Sequence, residues 1–210
     1  MSTDVWQLGD VKITRILELS ATRTPDFGYR NLSTEQILKE TWLRPHFATE
    51  DGQLKSCIQA FVVDTGAHRI IVDTCVGNEK ERGNPAWNQL QGPFLQDLAA
   101  AGYPRESIDT VLCTHLHIDH VGWNTQLRDG RWVPTFPNAK YVFSRTEFEH
   151  FQANAEDMDR HSFEDSVLPI VEQGRAEMTD GAHALADGLL LEPAPGHTPG
   201  HITLTMETGS

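Results

Sequence analysis

Apolar and polar positions alternate with period two along Val11-Lys12-Ile13-Thr14-Arg15-Ile16-Leu17, which predicts a strand with one buried face. Cys57 to Val63 and Arg69 to Asp73 are two further β-rich runs, and Asp64-Thr65-Gly66 between them predicts a hairpin. The spacing then changes. Phe94, Leu95 and Leu98 share one stripe, Pro93 stands in the first turn and Gly102 follows the last, so residues 93–101 read as a helix. Thr110-Val111-Leu112-Cys113 is the next strand, and Lys140 to Phe143 another. Ser144-Arg145-Thr146-Glu147 has the form of a capping box at the head of a helix. Asp187-Gly188 marks a turn feeding Leu189 to Glu192, and His201 to Met206 alternates, which makes His201 a strand residue rather than a ligand. Strands and helices in this order predict an open α/β sheet that binds its ligand beyond the carboxyl end of a strand.

No break in the pattern divides residues 1–210, which read as a single domain. The least regular stretch is Ala21 to Gln53, where a short helix capped by Ser33 carries Ile37, Leu38 and Trp42. Two readings of it stay open: a lid whose aromatic residues line a substrate mouth, or core packing of Trp42 and Phe47.

A hydrophobic share of 39% suits an ordinary core, and the formal net charge of −13 argues against nucleic acid or an acidic membrane as a partner. Part of that acidity is local. Glu147, Glu149, Glu156, Asp157, Asp159, Glu164 and Asp165 read as a solvated helical face. Cys57, Cys75 and Cys113 are odd in number and read as reduced, mostly buried thiols. The start of the chain has neither a basic nor an apolar leader segment, and no run reaches the ~18 apolar residues that span a membrane. The expectation is a cytoplasmic protein.

Chemistry concentrates in Thr114-His115-Leu116-His117-Ile118-Asp119-His120-Val121-Gly122. Imidazole and carboxylate are the ligands that zinc and similar cations prefer. Alternate residues of an extended segment point the same way, so His115 and His117 can grip one ion. Asp119 and His120, past the bend, can reach a second ion or orient the water of the first. Downstream, Pro195-Gly196-His197-Thr198-Pro199-Gly200-His201 holds His197 in a stiff loop as the natural third ligand.

The H-x-H-x-D-H run, the upstream Ile70-Ile71-Val72-Asp73-Thr74 and the downstream Gly-His-Thr-Pro-Gly-His resemble the metallo-β-lactamase superfamily over nearly the whole chain. The resemblance implies an αββα sandwich with metals at one edge. It puts His115, His117 and His197 at the first metal, Asp119 and His120 at the second, and Asp73 behind them as a carboxylate bracing the ligand loop. Cys75 stands where the family usually has Gly. The family pattern continues with an Asp that bridges both metals and a further His, and neither follows Met206-Glu207-Thr208-Gly209-Ser210. The expectation is therefore a fragment whose C-terminal half is incomplete.

The implied cofactors are two divalent ions, zinc first, with manganese or iron as alternatives. They would lower the pKa of a shared water to about 7 and so supply hydroxide to a carbonyl or phosphoryl centre, with Asp119 orienting it. Asp119-His120, Trp123-Asn124 and the Ala21 to Gln53 insertion look most like the lactonase and organophosphate-hydrolase-like branch, so the expected partner is a small-molecule ester or lactone. Two rivals stay open: a mononuclear iron oxidoreductase of the persulfide dioxygenase kind, and a metal-binding protein without catalysis. Oligomeric state is open too, a homodimer included.

Overall fold

A computed structural model describes residues 4–154 and 157–208. Glu156 and the side chains of Asp157 and Asp159, counted above in the acidic face, lie outside that description, as do Met1 to Thr3, Gly209 and Ser210. The chain forms two compact units, Met1–Ile16 with Gln59–Ser210, and Leu17–Ile58, where the sequence pattern marks no boundary.

The larger unit is built on two sheets. In chain order its strands are β1 (Val5–Leu8), β2 (Val11–Arg23), β3 (Leu54–Asp64), β4 (Arg69–Val72), β5 (Thr110–Leu112), β6 (Thr125–Arg128), β7 (Arg131–Pro134), β8 (Lys140–Ser144), β9 (Ala176–Thr179), β10 (His183–Ala186), β11 (Leu189–Pro193) and β12 (Ile202–Met206). The last residues of β2 and the first of β3 belong to the smaller unit. Seven strands make a mixed sheet in the order β1-β2-β3-β4-β5-β8-β9, and β10-β11-β12 make an antiparallel sheet. The predicted hairpin is β3 and β4, with Phe61 opposite Val72. From β4 through β5, β8 and β9 the pairing is parallel. Strands buried on both faces need continuous apolar runs, and Ile70, Ile71, Val111, Leu112, Val142 and Phe143 supply them. The sheets meet where Val11, Val63, Ile70, Leu112 and Val142 pack with Leu189, Leu191 and Ile202. This is the α/β architecture that the resemblance implies.

The smaller unit contains α1 (Thr34–Lys39), which opens on a complete capping box: Gln36 N donates to Ser33 Oγ at 3.3 Å and Ser33 N to Gln36 Oε1 at 2.7 Å. Core packing of Trp42 and Phe47 is not what the structure has. They are 66% and 57% exposed, and their rings meet edge-on at 6.1 Å on the surface. Cys57, on β3, is exposed, whereas Cys75 and Cys113 in the larger unit are buried.

The remaining helices are α2 (Phe94–Ala100), α3 (Arg145–Asn154), α4 (Asp157–Ser166) and α5 (Leu168–Glu172). Helix α2 starts after Pro93, buries Phe94 and Leu98 and is followed by Gly102 at φ 97°, a left-handed position where glycine costs least. The capping box predicted at residues 144–147 is only half formed. Glu147 N donates to Ser144 Oγ at 3.5 Å, but the Glu147 carboxylate turns away from Ser144. The solvated acidic face is corrected at two positions: Glu147 is 1% exposed and Asp165 8%, because each has polar partners inside the fold.

Candidate metal centre

The parallel strand β5 ends at Leu112, and the next residues turn across the end of β4. Asp73 controls that turn. Its Oδ1 accepts from Thr114 N at 2.8 Å and its Oδ2 from Thr114 Oγ1 at 2.9 Å. Backbone bonds then interlock the two segments: Thr74 N to His120 O at 2.7 Å, Gly122 N to Cys75 O at 2.7 Å, and Trp123 N to Thr74 O at 2.8 Å. The approach is so close that a Cβ on Gly122 would lie 1.8 Å from Val76 O, so only glycine fits. Asp73 at φ 57° and Cys75 at φ 55° are both left-handed, a costly conformation for residues with a Cβ. Glycine at position 75 would adopt this conformation without that cost.

Hydrogen-bond logic fixes the tautomer of His115. A carboxylate can only accept, so the Thr114 hydroxyl gives its proton to Asp73 and accepts from His115 Nδ1 at 3.0 Å. The His115 Nε2 atom is left with a lone pair, buried and without a partner among the described residues. Burial, reinforced by the surrounding imidazoles of His120, His117 and His197, pushes the His115 pKa down to about 2, so the ring is a neutral base at any ordinary pH.

His117 and His197 complete a group. One nitrogen from each of His115, His117 and His197 lies within 4.8 Å of the others, and His117 Nδ1 is 3.0 Å from His197 Nε2. The loop that brings His197 in is closed by Ala194 N to His201 O at 2.7 Å and joined to the first loop by Ile202 N to Thr114 O at 2.9 Å. Nitrogens this close, one of them orphaned, could hold a cation.

Asp119 and His120 lie beside this group. His120 Nδ1 is 2.8 Å from Asp73 Oδ2, its Nε2 is 3.7 Å from Asp119 Oδ1, and its ring centroid is 3.9 Å from that of His115. Burial lowers the His120 pKa, but the carboxylates of Asp73 and Asp119 outweigh it and the net shift is upward. His201 is placed differently from the strand residue expected. It precedes β12, and its ring comes to 4.9 Å from that of His115. His115, His120, His201 and Asp73 line a cavity of about 880 Å³ together with the charged Asp4 and Arg15 and the apolar Trp6, Phe61, Val72, Leu204 and Met206.

A second buried polar cluster follows on the same connection after β4. Lys80 Nζ, with a fully buried side chain, donates to Thr125 Oγ1 at 2.8 Å, lies 3.3 Å from Asp165 Oδ1 and stands 3.7 Å over the Trp132 ring. Arg82 is bidentate on Asp165 at 2.7 and 3.1 Å. Burial, only partly offset by Asp165, pushes the Lys80 pKa down to about 7.

Residues 58–210 match the family model of the metallo-beta-lactamase superfamily. An N-acyl homoserine lactonase of Bacillus cereus is 29% identical over 76% of this chain, which spans 62% of that relative's length. Among solved structures, the hydrolase AbOPH of the beta lactamase superfamily superposes with a TM-score of 0.73 at 27% identity, covering 98% of this chain and 70% of that one. AidC, a dizinc quorum-quenching lactonase solved with a product, superposes with a TM-score of 0.74 over 99% of this chain and 71% of its own, and at 19% identity the likeness is one of fold.

Proposed function

This chain belongs to the metallo-beta-lactamase superfamily, and on that premise we propose that it is part of a metal-dependent hydrolase acting on an ester or lactone. The observation that carries the proposal is the buried, unpartnered His115 Nε2, one of three imidazole nitrogens within 4.8 Å. Neutral imidazoles in that arrangement suit zinc, with manganese or iron as alternatives. His115, His117 and His197 would hold the first ion, and Asp119 with His120 would serve a second. Such ions, when bound, bring the pKa of a water to about 7 and polarise the bond under attack.

The chain's own groups supply the rest. Asp73, through Thr114, keeps the proton on His115 Nδ1, so that Nε2 stays a ligand. Asp119, partly exposed beside His120, would orient the attacking water and take up its proton. Trp6, Phe61, Leu204 and Met206 offer an apolar wall, which suits the acyl part of an ester or lactone. The lactonase relatives favour a lactone within this class.

The test is metal content and turnover of an N-acyl homoserine lactone and of a p-nitrophenyl ester, measured on the chain and on His115→Ala. Turnover that requires zinc and disappears in the variant supports the proposal. Equal metal content in both proteins would overturn it, and oxygen uptake with one iron per chain would replace it by the dioxygenase reading.

A further inference from the structure

We infer that Glu147 is a positioning residue whose buried carboxylate clamps the His115-His117 loop to the His197 loop. The inference rests on the proposed metal centre and adds to it a residue that belongs to neither loop. Glu147 sits in the first turn of α3. Its Oε1 accepts from Leu116 N at 3.2 Å and its Oε2 from Gly200 N at 2.8 Å. Leu116 lies between the two ligands of the first loop, and Gly200 lies just beyond the ligand of the second. One side chain thus spans two segments that are far apart in sequence, with one oxygen for each.

The surrounding structure is shaped for this contact. A Cβ on Gly200 would lie 2.2 Å from Glu147 N, so the second loop rests directly on the first turn of the helix. The carboxylate forgoes the reciprocal half of a capping box at Ser144 to make these two bonds. Its partners are backbone amides of the ligand loops, and burial strengthens such bonds while making each one costly to lose. An amide side chain cannot replace it, because Gln has one acceptor oxygen and would turn an NH₂ group toward the second N–H. Asp keeps the charge but is one methylene too short to reach both loops.

The test compares zinc affinity, by competition with a chromogenic chelator, for the whole chain and for Glu147→Gln, Glu147→Asp, Glu147→Ala and His115→Ala, with unfolding of each metal-free protein measured in parallel. Wild type should bind zinc and His115→Ala should not. The three Glu147 variants should bind it about 10- to 100-fold more weakly, the range seen when groups supporting metal ligands are removed, while still unfolding cooperatively. Folded Glu147→Gln or Glu147→Asp with wild-type affinity would overturn the inference and leave the metal centre standing. A wild-type chain that binds no zinc would remove both. Should the variants fail to fold, the wild-type amides decide: the Leu116 and Gly200 resonances should shift together on adding zinc, and an unmoved pair would overturn the clamp.

Discussion

Two buried polar clusters flank the connection that follows β4, and they are built on opposite principles. In the cluster of Lys80, Arg82 and Asp165, almost every polar atom has a protein partner among the described residues, Arg82 Nε being the exception, and Lys80 and Arg82 share the Asp165 carboxylate between them. Among the imidazoles, by contrast, the scaffold satisfies one side of a ring and leaves the other side open: Thr114 takes His115 Nδ1, while Nε2 has nothing. A cluster that closes on itself holds the fold together. One that leaves a buried lone pair open could take a partner from outside the chain.

His115→Ala should separate the two clusters most strongly. Turnover should fall on the order of 10³-fold or more, as expected when the water involved reverts from a pKa near 7 toward that of bulk water. Metal content should drop with it, and the metal-free chain should unfold at close to the wild-type midpoint. If instead stability collapses, the imidazoles are a structural cluster like the other one. Asp165→Ala inverts the experiment. Removing one partner of a buried ion pair costs about 3–5 kcal/mol, so the denaturation midpoint should fall sharply while the folded fraction keeps its zinc affinity.

Gly122→Ala bears on both. Its Cβ would lie 1.8 Å from Val76 O, so backbone must shift to admit it and the denaturation midpoint should fall. Because Gly122 also bonds to Cys75 beside the ligand turn, zinc affinity should weaken in parallel, which Asp165→Ala should not do. The smallest effect is a slope. Lys80 is held near 7 in the folded chain against an ordinary value of 10.5. Between these values the unfolded chain carries a proton that the folded chain has released, so stability rises with pH through that window, and the full penalty is present below it. Lys80→Met should flatten the rise, as read from urea midpoints at pH 7 and pH 9. Identical slopes would mean that Lys80 stays charged inside the fold.

The imidazole cluster was legible in the sequence because its chemistry is local: four ligand-type residues in six positions need no tertiary information to be noticed, and His197 sits in a loop stiffened by Pro195 and Pro199 and opened by Gly196 and Gly200. The hairpin of β3 and β4 and helix α2 were legible for the same reason, through period and punctuation. Glu147 and Asp165 were not. A charge run on a helix says nothing about which of its members turns inward, since that depends on amides and cations contributed by distant segments. His201 was missed because alternation marks a strand without fixing where the strand begins.

The interlock between residues 74–75 and 120–123 also has a kinetic meaning. The amide protons of Thr74, Gly122 and Trp123 are all tied up across one seam, and two left-handed residues with a Cβ, Asp73 and Cys75, hold energy at its edge. Such a seam opens as a unit and before the sheets on either side of it do. Under native conditions these three protons should therefore show one common opening free energy in hydrogen exchange, lower than those of Val111 or Val142, and that value measures how readily the turn lets go of the scaffold.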